Sequence, residues 1–265
     1  MARVLVRGSG DVGSAVAHLL SRHGHSVVLH DGAQPAAPRR GMAFADAIFD
    51  GACELDGVRA RRVDDPADLR EDASAGVLIT TTALEGALAA FAPDVLVDAR
   101  MRKRARPERQ RGLAPLTIGL GPNFVAGETT DLAIETQWGE HLGAVVERGP
   151  TRPLGGEPRE FGGHARDRFV YAPLAGVMRT QAQIAQSVRA GEVVATIGDE
   201  QLLAPLEGIL RGLVHDGVPV GAGAKVLEVD PRGDASKVVG LGVRPLRIAE
   251  GVLTAIRGSG ARGVT

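Results

Sequence analysis

Six residues near the amino terminus, Gly8-Ser9-Gly10-Asp11-Val12-Gly13, have the spacing of a loop that admits a diphosphate. Glycines at its first, third and sixth positions let the backbone approach phosphates at a helix N-terminus, where free amides and the helix dipole favour an anion. Asp31 follows Gly13 by 18 residues, where a carboxylate accepts hydrogen bonds from a ribose. Asp11 counts against this chemistry. Its carboxylate suits a helix cap but repels a bound diphosphate. The competing reading is that the glycines serve only a tight strand-to-helix turn.

Further polar residues fall at the ends of apolar runs, where open parallel sheets bind ligands. Arg7 closes the first run; Thr80, Thr81 and Thr82 follow another; Asp98 and Arg100 follow a third; Gly119, Gly121 and Asn123 follow a fourth. Arg39-Arg40, just beyond Asp31, supplies cations suited to a ribose phosphate or another anion. Together these groups predict charge-assisted bonds to a small anionic or nucleotide ligand. Solvated strand ends are the alternative. The segment 100–111 holds seven basic residues, of which Arg106, Arg109 and Arg111 read as a solvated loop, while Arg100 and Arg102 stand nearest the strand ends.

Other chemistries lack their residues. The seven histidines have no paired ligand spacing, so no metal site is expected. Cys53, the single cysteine, excludes a disulfide framework and a multi-cysteine cluster, and reads as an inert buried thiol. Neither a serine elbow nor a Walker loop occurs.

The elements that must position these residues change character along the chain. Up to about residue 128, short apolar runs (Arg3–Val6, Ser26–Leu29, Val58–Val63, Val77–Thr80, Val95–Val97, Leu116–Ile118) alternate with helical stretches near 11–23, 42–49, 66–72 and 84–91. This alternation predicts an α/β region with a Rossmann-like, doubly wound parallel sheet over 1–128. Segments 132–136 and 142–147 read as a hairpin that opens a β region over 129–245. Within it, Ala172-Pro173-Leu174-Ala175-Gly176 returns 32 residues later as Ala204-Pro205-Leu206-Glu207-Gly208, and Arg179/Arg211, Val188/Val220 and Gly191/Gly223 keep that offset. Two half-units (172–198 and 204–230) predict a small intertwined barrel-sandwich, resembling lipoyl and biotinyl carrier domains. The junction, 197–203, holds no lysine, so no covalent lipoyl or biotin is expected. A C-terminal helix over 246–265, apolar at Leu246, Ile248, Ala249, Val252, Leu253 and Ile256, is expected to pack on the first region.

At 265 residues, with 31 basic and 32 acidic side chains, the chain can bury two cores and carries no bulk charge for nucleic acid or membrane. The early first strand, the lack of a long apolar run and the cysteine usage predict a cytoplasmic protein.

The ordered set Val6-Arg7-Gly8-Ser9-Gly10-Asp11, Arg39-Arg40, Phe44-Ala45-Asp46-Ala47, Val97-Asp98-Ala99-Arg100-Met101, Ile118-Gly119-Leu120-Gly121-Pro122-Asn123-Phe124, Ile134-Glu135-Thr136 and Asp230-Pro231-Arg232-Gly233-Asp234 resembles the YqeB-like proteins of the selenium-dependent molybdenum hydroxylase system. The resemblance covers nearly the whole chain and departs at Asp31 and His164. It implies a Rossmann-like domain joined to a lipoyl-like barrel, and a bacterial accessory or maturation role with a molybdenum hydroxylase as partner. The ligand would then be a nucleotide-containing or other anionic compound, with a dinucleotide form of the molybdenum cofactor as one candidate. Two other functions stay open from the residues: an NAD(P)-dependent oxidoreductase using the glycine loop and Asp31, and a non-enzymatic partner-binding module. A homo-oligomer is expected.

Overall fold

The computed structural model describes residues 1–70, 76–102, 105–153, 155 and 158–262. The end of the predicted 66–72 helix, together with Lys103 and Arg104 of the basic run, lies outside the described residues. Runs of β-branched and aliphatic residues, each bounded by Gly, Asp or Pro, become strands because a pleated, buried surface suits their stiff side chains. In order they are β1 (Arg3–Arg7), β2 (Ser26–His30), β3 (Ala52–Leu55), β4 (Val58–Arg62), β5 (Val77–Thr80), β6 (Val95–Asp98), β7 (Leu116–Leu120), β8 (Val125–Ala126), β9 (Leu132–Ile134) and β10 (Val145–Val146). All but β8 form one sheet in the order β10-β9-β7-β6-β1-β2-β5-β4-β3. β8 pairs instead with β11 (Gly149–Pro150).

The helices are α1 (Asp11–Arg22), α2 (Ala47–Asp50), α3 (Leu84–Phe91) and α4 (Val243–Arg262). Side chains alternate across the sheet with a period of two, so each face builds its own core. Val4, Val6, Val27 and Leu29 pack with Val16 and Leu20 of α1 and with Ile248, Val252 and Ile256 of α4. On the opposite face Leu5, Val28, Leu78 and Leu96 pack with Leu69 and with Ala87 and Phe91 of α3. The central strands are buried on both sides, which explains their near-continuous apolar runs.

The remaining strands are β12 (Phe169–Tyr171), β13 (Gly176–Arg179), β14 (Ser187–Val188), β15 (Val193–Ile197), β16 (Glu200–Leu203), β17 (Gly208–Leu213), β18 (Pro219–Val220) and β19 (Lys225–Asp230). They form two antiparallel sheets, β12-β19-β17-β14 and β16-β15-β13-β18, over a core containing Met178, Ile197, Leu210, Leu213, Val226 and Val229. The repeated segments exchange partners: β13 of the first copy pairs with β18 of the second, and β14 of the first with β17 of the second.

The expected fold class is corrected on both counts. The large sheet is mixed rather than doubly wound and parallel, because antiparallel pairs β3/β4 and β9/β10 close its two edges. Between β2 and β3 the chain makes only a 3-10 turn (Arg40–Met42) and the four-residue α2, since Pro35, Pro38, Gly41 and Gly51 break any longer helix. β9 and β10, from the segment grouped by sequence with the β region, extend this sheet. The second correction concerns the lipoyl/biotinyl-like barrel-sandwich. Among the described residues its strands form two separate antiparallel sheets of four that share no hydrogen-bonded ladder.

Candidate functional site

At the carboxyl end of β1 the glycine turn is built for packing. Gly8 has φ +103°, and a Cβ on Gly13 would stand 1.9 Å from the Gly8 carbonyl oxygen, so these two glycines let α1 meet the sheet closely. Gly10 is different: a Cβ there would meet nothing within 4 Å. The Asp31 carboxylate does not face a ribose. Its Oδ2 accepts bonds from the amide and the hydroxyl of Ser9, both at 2.7 Å, and its Oδ1 accepts the Gly32 amide at 2.8 Å. The Ser9 carbonyl then accepts the Ser14 hydroxyl at 2.9 Å, whose oxygen in turn accepts the Phe44 amide at 2.8 Å. The turn is tied shut by its own chain.

The other crest residues are likewise engaged. Asp98, buried, receives the Nε of Arg100 at 3.0 Å, its backbone amide at 3.1 Å and the Gln110 side-chain amide. Glu108 joins Arg7 at 3.0 Å and also pairs with Arg100 and Arg102. These cations hold the Glu108 carboxyl well below its usual range although burial acts to raise it. Arg7 is pushed down by burial first and by Arg100 second. Thr80 and Thr82 hydroxyls bond each other at 3.2 Å, and Thr81 is half-buried beside them. A Cβ on Gly119 would lie 2.2 Å from the Phe124 ring, so this glycine seats an aromatic side chain. Gly121 lies under Thr136, and Asn123 donates to the Ala105 carbonyl at 3.3 Å. Arg40 turns away from the crest, donating from Nε to the Leu213 carbonyl at 2.9 Å and pairing with Asp46 at 2.9 Å.

Arg39 leads to a cluster that sequence reasoning did not assemble. Its Nη1 bonds Asp11 at 2.9 Å, while Nε and Nη2 hold Glu228 of β19 at 3.0 and 3.2 Å, which ties the N-terminus of α1 to the small sheet. Glu228 is fully buried and also receives Arg168 and, at 2.9 Å, the Nζ of Lys225. Arg211 Nε stands 3.3 Å from Glu228, at an angle that makes no hydrogen bond, and Arg211 Nη1 bonds Asp230 at 3.3 Å. Arg232 holds Asp230 through two bonds, at 2.8 and 2.6 Å. The aromatic wall is Phe161 and Phe169, with the Arg168 guanidinium 4.6 and 4.4 Å from the two rings and Lys225 Nζ 4.5 Å from Phe169.

A bulge makes this possible. Along a regular strand residues 225 and 228 would face opposite ways. β19 pairs Tyr171 with Lys225 but Val170 with Leu227, so Val226 is the extra residue, and Lys225 and Glu228 come to share a face with Phe169 and Tyr171. Gly212 leaves room for the carboxylate arm, since a Cβ there would lie 2.9 Å from the Cβ of Glu228 and 3.4 Å from Pro38.

Burial acts to raise Glu228, but Arg39 and then Lys225 hold it far below the usual carboxylate range. Burial likewise acts to raise Asp11, which Arg39 holds down. Lys225 moves the other way: burial first, then repulsion from Arg39, push its ammonium down to about 8 despite the pairing with Glu228. Its side chain is 27% exposed, alongside Arg39 at 24% and Asp11 at 22%. Arg244 of α4 donates from Nε to the Thr136 carbonyl at 2.9 Å and lies within electrostatic range of Asp11 and Arg39. Among the described residues no group of three His, Cys, Asp or Glu could hold a metal, and no helix is long and apolar enough to cross a membrane.

No protein-family profile matches the chain. Against the uncharacterized protein YqeB of Escherichia coli K12 it is 35% identical over 254 residues, which is 96% of this chain and 47% of YqeB. The chain is similar to YqeB over nearly its whole length. It therefore spans about half the length of the curated relative it matches. Three solved structures were also similar. A succinylglutamate desuccinylase/aspartoacylase from Rhodobacter sphaeroides is 16% identical, with 77% of this chain and 56% of that chain covered and a TM-score of 0.23. An aspartoacylase family protein from Mesorhizobium loti is 9% identical, with coverage of 86% and 85% and a TM-score of 0.26. A succinylglutamate desuccinylase from a Silicibacter species is 11% identical, with coverage of 86% and 84% and a TM-score of 0.25.

The expected function is corrected accordingly. These neighbours are desuccinylase and aspartoacylase family proteins, not accessory proteins of molybdenum hydroxylases or NAD(P)-dependent oxidoreductases, and YqeB is uncharacterized. The geometry agrees at the crest. Asp31 occupies the Ser9 amide and hydroxyl, Asp11 sits over the first turn of α1, and Asp98 and Glu108 neutralise the crest arginines.

Proposed function

We propose that this protein performs amine chemistry on a small carbonyl compound, with Lys225 as the nucleophile. The observation that supports this reading is the placement of Lys225: its side chain is partly exposed, its amine lies 4.5 Å from the centre of the Phe169 ring, and it shares Glu228 with Arg39. A lysine desolvated beside another cation loses its proton more readily, which makes it a nucleophile near neutral pH. Here the ammonium titrates at about 8, so roughly a tenth of the amine is free at pH 7, against well under a thousandth for an ordinary lysine.

In the step itself the amine nitrogen attacks the carbonyl carbon. A carbon–nitrogen bond forms, the carbonyl oxygen leaves as water with the two amine hydrogens, and an imine remains. Glu228, held ionised by its cations, keeps Lys225 in place and is no proton donor. Arg39 keeps the amine's proton affinity low and anchors the wall of the site to Asp11.

Reductive trapping tests this. The chain has three lysines, Lys103, Lys225 and Lys237, so the other two are internal controls. The full-length protein is incubated with small aldehydes and cyanoborohydride and mapped by peptide mass. Saturable alkylation of Lys225, faster than at Lys237 and rising with a midpoint near pH 8, is expected. Labelling of Lys225 no faster than of Lys237 would refute the reading and leave Lys225 as an ion-pair partner of Glu228.

A further inference from the structure

We infer that a second site takes an uncharged planar nitrogen heterocycle, a purine or pyrimidine base, in a cleft of about 440 Å³ between the large-sheet region and the small sheets. Arg40 and Asp46 of the first region form one wall, and the segment 180–184 with His215 and Asp216 forms the other. Both repeated segments build that second wall. Gln183 and His215 hold the same place in the two copies, 32 residues apart. None of the lining residues belongs to the Lys225 cluster, and a cleft of this size admits one base with room for a sugar.

The cleft has a platform. The His215 imidazole lies flat on the Phe49 ring, with centroids 4.0 Å and planes 10° apart. Phe49 covers one face of the imidazole and does not line the cleft, so His215 meets the cleft with what Phe49 leaves open. Stacking on such a ring suits every base, because every base has a π face. Hydrogen-bonding groups surround the platform. His215 Nδ1 donates to the Asp216 carbonyl at 2.8 Å, so in the neutral ring Nε2 is left as an acceptor. Arg40 uses Nε on the Leu213 carbonyl and Nη1 on Asp46; its Nη2 is a donor without a partner among the described residues. Gln181 and Gln183 are exposed, and each side-chain amide offers a donor beside an acceptor, the pattern that matches the edge of a base.

Charge decides the class of ligand. Arg40 is paired with Asp46 at 2.9 Å and Arg179 with Asp216 at 3.7 Å, so these groups neutralise one another and leave no cation over for a phosphate. The second wall is also held in shape. Asp216 Oδ1 accepts the Thr180 amide at 2.9 Å, which ties the two copies together, and the Thr180 hydroxyl donates to the Val194 carbonyl at 2.8 Å. Gly41 lets the first region close on this wall, since a Cβ there would lie 2.8 Å from Cγ2 of Ile184.

Calorimetry and ligand-observed NMR on the full chain test this with uracil, hypoxanthine and adenine as probes. Two controls separate the parts of the argument: 5,6-dihydrouracil keeps the hydrogen-bonding edge without the flat aromatic ring, and phenol keeps a flat ring without that edge. At least one base is expected to bind with a Kd of about 1 mM or tighter, and both controls about tenfold or more weakly than the best base. AMP should bind no more than about fivefold tighter than adenosine, because no charge-assisted contact is available to its phosphate. His215→Leu removes the platform and should weaken binding about tenfold or more. Because His215 also packs on Phe49, a second variant changes only exposed side chains. Gln181→Ala, Gln183→Ala should keep the parent melting temperature and weaken binding about fivefold or more. Any of four results overturns the inference: no binding by any base up to about 10 mM, phenol as tight as the best base, AMP beyond that fivefold limit, or parent affinity in the glutamine variant. The trapping of Lys225 is a separate readout, and neither result decides the other.

Discussion

Replacing Glu228 with glutamine removes one negative charge from a fully buried site while keeping its shape. Arg39 retains Asp11, and Arg211 retains Asp230, but Arg168 and Lys225 lose the carboxylate that neutralises them. Breaking a buried ion pair from one side costs about 3–5 kcal/mol, because the stranded cations remain desolvated. Four cations converge here, so a cost near the upper part of that range is expected. With an m value of about 2–3 kcal/mol/M in urea, the midpoint should fall by about 1–2.5 M, followed by circular dichroism. The double variant Glu228→Gln, Arg39→Met should lose about 1–3 kcal/mol less than the sum of the single changes, since the two share two hydrogen bonds. The sign with pH is fixed as well. Glu228 is held below its usual range, so its stabilisation is complete above the ordinary carboxylate value and is lost as pH falls toward the folded value. The variant should lack that part of the acid limb. A urea midpoint within about 0.3 M of the parent, or strictly additive single changes, would refute the view that one carboxylate holds the two regions together.

The glycine turn gives a contrast between neighbours. Gly13→Ala should destabilise by more than about 2 kcal/mol, since its Cβ would stand 1.9 Å from the Gly8 oxygen, whereas Gly10→Ala, with open space, should cost about 1 kcal/mol or less by thermal melting. Asp31→Asn should lower stability by about 1.5–3 kcal/mol, because the Ser9 amide and hydroxyl lose a charged acceptor; a melting temperature that does not move would count against this role. Cys53, its thiol pushed up to about 11 by burial, should alkylate with iodoacetamide at pH 8 about a hundredfold more slowly than an ordinary exposed thiol. Lys225 binds a proton more weakly folded than unfolded, so the protein should gain stability as pH rises from about 8 toward 10.5, and Lys225→Met should lose that rise in urea titrations at pH 7.5 and 10.

What was legible in the sequence follows physical range. β1, β2, β5, β6 and β7 are runs of Val, Leu and Ile between turn residues, and such runs announce a buried strand without outside help. β3, Ala52-Cys53-Glu54-Leu55, carries no such pattern; it forms because β4 offers a partner across the Asp56-Gly57 turn. The predicted helix over 42–49 gives way to a 3-10 turn and one turn of α-helix for the same reason: Gly41 and Gly51 bound it too tightly. At the site, Arg39 stands out as a cation near the glycine turn, but its partner Glu228 lies 189 residues away. Strand alternation even places Lys225 and Glu228 on opposite faces. The bulge at Val226 reverses that, and neither glycine nor proline marks it in the sequence. Arg244 is hidden in another way: it belongs to the first turn of α4, two residues before the helix read from the sequence begins.

The exchange of strands between the two repeated segments has a consequence for how this chain came to be one chain. Each copy has one ladder of its own, β13 with β15 and β17 with β19, but because β13 also pairs with β18 and β14 with β17, neither copy satisfies all of its backbone groups alone. Two separate peptides carrying one copy each could make the same ladders across a twofold axis, so the arrangement has the form of a fused symmetric dimer. Fusion frees the copies to diverge, and they have done so at the position that matters here: Val193 in the first corresponds to Lys225 in the second. Covalent linkage permits a single lysine, on one side only, to join the cluster in which Arg39 ties Glu228 to the N-terminus of α1.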